Sequence, residues 1–262
     1  MKYVLALLLT FPISSVAQQA INHEAMHGWD FGLGFAGGSI SHYRGSDQNY
    51  LLLFPYPTIF YTGERIKLNR SGGSVLLTTT EQFSLDLSFA LGIPVTSAGN
   101  IARLGMQDIA PNLELGPGAH WGIWQSDDRK YQWTVSAPLR AAINLKTGNE
   151  EGYTFSPYIQ FRHLSLFDTR LSIGPIWASE SYHDIYYQVD SPYVTPNRPG
   201  YDAKAGYSGF RTTLTSSYWL SPKLWLVGAI RYDTLSGAVF ADSPLVKQED
   251  SLIIGGNIFY FF

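Results

Sequence analysis

Cysteine is absent from all 262 residues of the chain. A protein without cysteine has no disulfide, no thiolate metal ligand and no thiol nucleophile, so packing and backbone hydrogen bonds must supply its stability. Charge is scarce as well: Asp, Glu, Lys and Arg make up 15% of the residues, against roughly a quarter in an average soluble domain. The net charge is −3 without any basic run, so we expect no nucleic-acid partner.

Long apolar runs are also missing, apart from residues 4–11 near the N-terminus. That run follows Lys2 and precedes the small residues Ser15 to Ala17, a pattern typical of a secretory signal peptide. We predict that residues 1–17 are removed by cleavage near Ala17 and that residues 18–28 form an N-terminal periplasmic segment. The run is shorter than the ~18 apolar residues that a membrane-spanning helix needs, and no other segment approaches that length.

Aromatic residues and glycine, in contrast, are abundant: Phe, Trp and Tyr make up 15% of the chain, which also has 25 Gly. Apolar and polar residues alternate in segments of about ten residues between turn sequences, a pattern typical of membrane β-strands. The alternating segments are Trp29–Ser41, Tyr50–Tyr61, Ile66–Asn69, Val75–Thr80, Phe83–Leu91, Leu113–Ile123, Tyr131–Leu145, Tyr153–His163, Arg170–Ala178, Phe210–Leu220, Leu224–Asp233 and Ser251–Phe262.

The pattern predicts an all-β fold in which residues 29–262 form a single antiparallel transmembrane β-barrel of about 12 strands. Short connections alternate with longer ones, as expected for short periplasmic turns and long extracellular loops; only the turn at Ser71 to Gly73 breaks the alternation. The alternative is a barrel of about ten strands, with the hairpin from Ile66 to Thr80 folded aside. Pro55 and Pro57 are expected to disturb the ladder of the second strand.

Aromatic residues near the strand ends are expected to form the two girdles that lie at a membrane surface. A soluble β-sandwich could use the same residues as core anchors, but it gives no reason for long loops to gather at one end. The predicted girdle residues are Trp29, Trp121, Tyr131, Trp133, Tyr153, Trp177, Tyr218, Trp225, Tyr232 and Tyr260.

The last stretch, residues 251–262, alternates in the same way and stops at an aromatic residue. We interpret it as the closing strand of the barrel, because an exposed apolar edge strand on a soluble domain invites aggregation. Tyr260 and Phe262 are predicted to form the signal that the barrel-assembly machinery reads. We therefore expect the protein in the outer membrane of a Gram-negative cell, in contact with outer-membrane lipids.

Charged residues of both signs fall on the strand faces opposite the apolar residues and are candidates for the barrel lumen. The favoured interpretation is a network of ion pairs and hydrogen bonds that fills a narrow lumen. The alternative is a small pore whose charge ring selects solutes. The lumen-facing candidates are Asp86, Glu114, Arg140, Arg162, Arg211 and Arg231.

One pair, His163 and Ser165, has the spacing of a lipid deacylase, but no acid stands beside it to orient the histidine. The remaining histidines are dispersed and make no metal-ligand spacing. Asp184, Asp190 and Asp202 could bind a cation, although a solvated loop surface is the simpler interpretation. We expect no catalytic residue, no cofactor and no metal.

Seven short pieces of sequence occur in an order that resembles the MipA/OmpV family, the MltA-interacting outer-membrane proteins, over essentially the whole mature chain. The loop at Pro196 to Pro199 departs from the Ala-rich stretch expected there, which puts loop-dependent partners in doubt. The seven pieces are Tyr43-Arg44-Gly45-Ser46-Asp47, Pro55-Tyr56, Gly63-Glu64-Arg65, Leu113-Glu114-Leu115-Gly116, Tyr201-Asp202-Ala203-Lys204-Ala205-Gly206, Asp242-Ser243-Pro244-Leu245-Val246 and Tyr260-Phe261-Phe262.

The resemblance implies a barrel without known catalytic residues that acts as a scaffold between a murein lytic transglycosylase and a peptidoglycan synthase. We therefore expect this protein to link or support peptidoglycan-remodelling enzymes at the outer membrane. Its periplasmic turns would be the docking surface, with charges at Asp127 to Arg129, Asp168 and Arg170. The alternatives are a narrow porin-like channel and a surface adhesin.

Overall fold

Antiparallel pairing joins the strands of the protein into one sheet that closes on itself. The computed structural model describes residues 28–69, 72–92 and 94–262, so the predicted signal peptide and all but the last residue of the predicted periplasmic segment lie outside the described residues. The sheet contains thirteen strand segments. They are β1 Gly28–Ser41, β2 Asn49–Thr62, β3 Ile66–Asn69, β4 Gly72–Thr79, β5 Phe83–Leu91, β6 Asn112–Gln125, β7 Tyr131–Asn144, β8 Glu150–Phe155, β9 Tyr158–Leu164, β10 Asp168–Ala178, β11 Gly206–Ser221, β12 Leu224–Thr234 and β13 Asp250–Phe261.

The barrel has twelve strand positions, because two of the thirteen segments share one. β8 and β9 both pair with β7 on one side and β10 on the other, so they form a single strand interrupted at Ser156 and Pro157. The other strands pair in chain order, and β1 pairs with β13 to close the barrel. The prediction of a single antiparallel barrel of about 12 strands is confirmed.

The short hairpin of β3 and β4 is part of the wall, since β3 pairs with β2 and β4 pairs with β5. The alternative in which this hairpin folds aside is therefore wrong. The predicted turn from Ser71 to Gly73 is also too long, because Gly72 and Gly73 already pair with Asn69 and Leu68. Residues 70 and 71, between the two strands, lie outside the described residues.

Exposure alternates along the strands, as the sequence predicts. In β1, Leu33 and Phe35 are exposed whereas Gly34 and Ala36 are buried, and β13 shows the same alternation up to its end. The exposed positions carry apolar side chains around the whole outside of the barrel. Such a belt is the surface that a membrane barrel presents to lipid hydrocarbon, while the buried positions face the lumen.

Most of the predicted girdle residues are exposed on the outside, but the prediction for Trp225 is wrong. The exposed positions of β12 are even-numbered, so Trp225 points inward, where it stacks on Trp219 at 5.6 Å and on Phe259 at 5.0 Å between ring centroids. These rings belong to an aromatic cluster inside the barrel. Its buried members are Ala36, Ile40, Tyr56, Ala229, Ile253, Phe259 and Phe261, and Tyr50, Leu52, Phe54, Phe60, Trp219, Trp225 and Val227 pack against them.

The connections fall into two classes at opposite ends of the barrel. The short-turn end has residues 63–65, 80–82, 126–130, 165–167 and 222–223. The long-loop end has residues 42–48, 92, 94–111, 145–149, 179–205 and 235–249. This alternation is the predicted one.

The long loops contain the helical structure: α1, Glu180–Tyr187, and three single 3-10 turns. The Ser179 side chain caps α1 by accepting a hydrogen bond from the Tyr182 N–H at 3.3 Å. Within the part of the chain that is described, no helix has the length and apolar character needed to cross a membrane.

Deleting the residue after the closing strand, Phe262, tests whether that residue acts on the stability of the folded barrel or on its insertion into the outer membrane. The Phe262 N–H donates to the Phe31 carbonyl at 3.1 Å, and the Phe262 residue is 73% exposed. Deleting Phe262 removes one hydrogen bond, worth about 1 kcal/mol, from the folded barrel. If Phe262 is also the assembly signal, the deletion should sharply reduce insertion in cells while the protein refolded in detergent loses only that small stability.

The measurement compares the heat-modifiable fraction in outer-membrane preparations with urea unfolding of the refolded protein. Ile258→Ala is the matched control, because Ile258 is also exposed and apolar but lies within β13, four residues before Phe262. Equal insertion of the wild type and the deletion variant would remove the assembly role from Phe262.

Candidate functional site

The six predicted lumen residues all lie on the inward faces of their strands, and four of them have ionic or histidine partners. The polar side chains of the lumen form three layers between the short-turn end and the long-loop end. We call these the lower, middle and upper layers. Arg162 lies in the lower layer, Asp86 in the middle one, and Arg211 and Arg231 in the upper one.

The lower layer consists of two arginines that share one aspartate. Asp168 Oδ1 lies 2.8 Å from Arg162 Nε, and Asp168 Oδ2 lies 2.6 Å from Arg170 Nη2. All three side chains are largely buried. Asp168 and Arg170 are two apart on β10 and therefore face the same side, while Arg162 is placed opposite Arg170 by the pairing of β9 with β10.

Asp168 and Arg170 thus do not belong to a periplasmic docking surface, and that expectation is wrong. The turn between β9 and β10 is shorter than expected and covers residues 165–167, so β10 begins at Asp168. Both side chains are directed into the lumen. An Asp and an Arg two positions apart at the start of a strand is the signal that could have placed them there.

The middle layer contains Ser136, His120 and Asp86. Ser136 Oγ lies 2.9 Å from His120 Nδ1, and His120 Nε2 lies 3.3 Å from Asp86 Oδ1. Gly118 makes room for this arrangement, because a β-carbon there would lie 2.7 Å from Asp86 Oδ1. The sequence shows no such triplet, since the three residues come together only through the pairing of β5, β6 and β7.

A serine, a histidine and an aspartate in contact have the composition of a hydrolytic triad. Ser136, however, is 0% exposed within β7. A nucleophile must reach a substrate carbonyl, and this hydroxyl has no exposed surface with which to do so. The middle layer is therefore a buried polar network in the observed structure.

The upper layer repeats the design of the lower one. Asp233 Oδ1 lies 2.6 Å from Arg211 Nε, and Asp233 Oδ2 lies 3.1 Å from Arg231 Nε. Arg211 is the register partner of Asp233 on β11, and Arg231 precedes Asp233 by two residues on β12. Asp233 is 1% exposed. Its two arginines compensate for the cost of burying a carboxylate away from water.

The other two predicted residues bond to neutral groups. Arg140 donates to Ser88 Oγ through Nε and Nη2, at 3.3 and 3.1 Å. Glu114 accepts a hydrogen bond from the Tyr182 hydroxyl at 3.0 Å. Because Tyr182 belongs to α1, this bond ties a long loop to the lumen face of β6.

The long loops pack together over that end of the lumen and form a loop cap, made of residues 42–48, 92, 94–111, 179–205 and 235–249. Its centre is apolar: the Tyr187 and Phe240 rings stack at 3.6 Å between centroids. No local pattern in the sequence predicts this core, because its members come from four separate loops. They are Tyr43, Ala102, Tyr187, Val189, Ala203, Leu235, Ala238, Phe240 and Leu245.

Hydrogen bonds between the loops hold the cap closed. The Tyr43 hydroxyl donates to the Leu245 carbonyl at 2.7 Å, and the Tyr187 hydroxyl donates to the Arg44 carbonyl at 3.0 Å. Arg198 Nη1 donates to the Ala102 carbonyl at 2.9 Å. These bonds join three pairs of loops, so no loop of the cap moves without breaking contacts with another.

His183, which is fully buried, connects the cap to the barrel wall. Its Nδ1 lies 2.6 Å from the Lys204 carbonyl and its Nε2 lies 3.0 Å from Ser208 Oγ on β11. Nδ1 must donate, since a carbonyl only accepts. Ser208 Oγ also accepts from Arg44 Nη1 at 3.2 Å. Burial lowers the pKa of the His183 imidazole, and the nearby Arg44 guanidinium lowers it as well, so both favour the neutral form of the ring.

The remaining sequence candidates do not form a site. His163 stacks on Tyr131 at 4.7 Å, and Ser165 Oγ donates to the Phe167 carbonyl at 3.4 Å; in the described part of the chain no hydrogen bond joins His163 to Ser165. Asp190 and Asp202 both accept from the Gln188 amide. Among the described residues, no three His, Cys, Asp or Glu side chains are grouped to hold a metal ion.

A closed antiparallel barrel with an apolar outer belt, a polar lumen, and short turns and long loops at opposite ends is an outer-membrane β-barrel protein. The short-turn end faces the periplasm and the loop cap faces the exterior. The sequence model of the family described as MltA-interacting protein MipA matches residues 33–262. The chain belongs to the MipA family, and the predicted family is confirmed.

No curated protein sequence matches the chain. An outer-membrane channel from Pseudomonas putida F1 is similar over 90% of this chain and 96% of its own, at 12% identity and a TM-score of 0.41. The monoaromatic hydrocarbon channel CymD is similar over 90% and 89%, at 12% identity and a TM-score of 0.40. The outer-membrane protease OmpT from Escherichia coli is similar over 90% and 96%, at 9% identity and a TM-score of 0.32. Such distant similarities carry no function over to this chain.

We predict that replacing a single carboxylate of the lower layer by an amide strongly destabilises the barrel. Asp168→Asn keeps the shape of the side chain but leaves two buried guanidiniums without a counter-charge, so we expect the free energy of unfolding to fall by about 3 kcal/mol. Adding Arg170→Met to this variant should restore part of the loss, because it removes one of the uncompensated charges. Urea unfolding in detergent, followed by tryptophan fluorescence, measures both changes.

Asp128→Asn is the matched control. Asp128 lies 3.2 Å from Lys130 Nζ, but both side chains are half exposed in a turn, where water and salt screen an ion pair. Its replacement should therefore change stability little. Equal effects of Asp128→Asn and Asp168→Asn would contradict a structural role for the lower layer.

Proposed function

We propose that the protein is a non-conducting scaffold that links or supports peptidoglycan-remodelling enzymes at the outer membrane. The observation that carries this proposal is the occupied lumen: three polar layers and an aromatic cluster lie inside the barrel, and the loop cap covers its outer end. In a barrel with a filled lumen, the surfaces at the two ends are more accessible to protein partners than the interior is to solutes. Membership of a family described as MltA-interacting supports a lytic transglycosylase as one partner. A peptidoglycan synthase is the proposed second partner.

The docking surface would be the short-turn end, which faces the periplasm. The most exposed apolar residue in its turns is Leu166, at 71%, beside the exposed Phe167 in the turn between β9 and β10. The neighbouring turn of residues 126–130 carries the exposed pair of Asp128 and Lys130. An apolar contact with charged residues around it has the composition of a transient protein interface.

The test measures partner capture by the barrel in lipid nanodiscs. The wild type should bind the lytic transglycosylase MltA, and Leu166→Asp should weaken that binding about tenfold, which corresponds to the ~1.4 kcal/mol of one buried apolar contact. Ile101→Asp is the matched control: Ile101 is an equally apolar residue, 80% exposed, but it lies in the loop cap at the opposite end. Biolayer interferometry gives both dissociation constants.

Planar-bilayer recording of the same preparations separates the remaining candidates. The scaffold should give no stable conductance steps. Steps in the wild type, together with no capture of the transglycosylase, would replace the scaffold with the narrow channel. Binding of host or cell surfaces that is lost in Ile101→Asp would instead identify an adhesin.

We also propose that the protein is not an enzyme. Three serine and histidine pairs among the described residues are each unsuited to catalysis. Ser136, beside His120, and Ser208, beside His183, are buried, and Ser165 bonds to the Phe167 carbonyl rather than to His163. None of the three hydroxyls has both an accessible path and a base to activate it.

Purified barrel in vesicles of phospholipid and lipopolysaccharide is therefore expected to release no fatty acid. Ser165→Ala should leave every phenotype unchanged, and Ser136→Ala, although it removes a buried hydrogen bond to His120, should leave the lipids unchanged. Mass spectrometry of the lipids provides the measurement. Hydrolysis that disappears in Ser136→Ala, or in both Ser165→Ala and His163→Ala, would move the protein into the enzyme class.

A further inference from the structure

The upper layer has the same components as the lower layer but leaves hydrogen-bond donors unused. In the lower layer, each guanidinium donates two hydrogen bonds to Asp168: Arg162 at 2.8 and 3.0 Å, and Arg170 at 3.2 and 2.6 Å. In the upper layer, Arg211 binds Asp233 in the same bidentate way, at 2.6 and 3.3 Å. The second arginine of the upper layer does not, so the two layers differ there.

That second arginine is Arg231, whose N–H groups have no acceptor in the described part of the chain. Its Nε lies 3.1 Å from Asp233 Oδ2 but makes no hydrogen bond. Its side chain is 17% exposed, against 7% for Arg170. Because Arg231 lies two residues before Asp233 on β12, both share the inward face of the strand. The exposed part of its guanidinium therefore belongs to the lumen.

Thr213 adds a second unpaired donor beside Arg231. The two residues are register partners in the pairing of β11 with β12, which places their β-carbons about 5 Å apart. Thr213 is 2% exposed, and its Oγ1 has no hydrogen-bond partner among the described residues. Nearly all buried hydroxyls are hydrogen-bonded, so an unpaired one requires an explanation such as a bound water or ion. Unpaired donors on two adjoining residues point to one ligand shared by both.

The charges around these donors decide which kind of ligand fits. Arg44 of the loop cap lies close enough to Arg231 and Asp233 to act on both charges, and its Nε is buried without a hydrogen-bond partner. Glu114 acts on Arg211 from β6. Three arginines thus face two carboxylates, which leaves one positive charge without a partner. The lower layer also has more arginine than aspartate, but both of its guanidiniums are bidentate and buried, so they leave no donors for a ligand.

We propose that Arg231 and Thr213, with Arg211 beside them, bind one small oxyanion, such as inorganic phosphate or a carboxylate, in the upper part of the lumen. The planar fork of a guanidinium matches two oxygens of an oxyanion, and the Thr213 hydroxyl donates a further hydrogen bond. The anion supplies the missing negative charge in a place where burial makes an unpaired charge costly. The loop cap covers this site from the exterior, so the bound anion belongs to the filled lumen.

Isothermal titration calorimetry of the barrel refolded in non-ionic detergent tests the site with inorganic phosphate. The wild type should bind a single phosphate saturably. Arg231→Met should weaken this binding at least about tenfold, because a hydrogen bond to a charged group contributes that much or more. The bidentate pair of Arg211 and Asp233 stays in place in this variant, so the barrel should still fold.

Arg170→Met is the matched control, because it removes the same charge from the lower layer. It should leave the phosphate affinity unchanged. Equal weakening in Arg170→Met and Arg231→Met would overturn the site, since phosphate would then respond only to the total charge of the lumen.

Thr213→Val separates binding from a purely structural role. The substitution keeps the shape of the side chain and removes the hydroxyl. Because Thr213 Oγ1 has no partner in the protein, Thr213→Val should not lower the urea midpoint of the phosphate-free barrel. It should nevertheless weaken phosphate binding roughly fivefold, the value of one ordinary hydrogen bond. A lower midpoint with unchanged phosphate affinity would contradict the proposal.

The ligand class is tested by competition. Chloride at about tenfold excess should not displace phosphate from the wild type, because a spherical ion does not match the planar fork of donors. Displacement by chloride would contradict an oxyanion site. The absence of saturable phosphate binding would overturn the site altogether, since water would then satisfy these donors. None of these outcomes bears on the capture of periplasmic partners.

Discussion

The backbone hydrogen bond is the interaction on which the rest of this structure depends. Lipid hydrocarbon offers no partner for an N–H or a carbonyl, so a sheet can stay in it only when its strands pair on both sides. The pairing of β1 with β13 supplies those hydrogen bonds where the first strand of the barrel meets the last. The chain has no disulfide and few charges, so this ladder, rather than covalent links, must hold the wall together.

Closure of the wall creates an interior that must be filled, and the protein fills it in two different ways. Where Asp168 and Asp233 enter the lumen, each is held by two arginines, so both of these buried carboxylates have a counter-charge. Around β1, β2 and β13 the lumen contains aromatic rings instead, packed against one another. The ion pairs fix the register of the strands through charge. The aromatic cluster instead stabilises the barrel through dispersion and the burial of apolar surface area.

Period-two alternation was enough to predict the strands and the closing strand, because the membrane imposes one rule on every strand at once. The family was predicted instead from seven short pieces of sequence in a fixed order. Alternation does not suffice where a shift of one residue decides whether a side chain points to the lumen or to the outside. Trp225 was placed outside and Asp168 in a turn, since the ends of short turns are set by hydrogen bonding that alternation does not encode. The middle layer and the loop cap depend on partners far apart in the chain, such as Tyr43 with Leu245. Such contacts leave no local signal.

Pro55 and Pro57 illustrate how one sequence feature changes meaning once the neighbours are known. A proline that interrupts a paired ladder destabilises it, which is why the sequence predicts a disturbance at β2. In the structure the ladder with β1 is continuous, because both prolines direct their nitrogens to the other side. There β3 is too short to offer acceptors. Each proline therefore removes one N–H group that would otherwise need an acceptor on that side of β2.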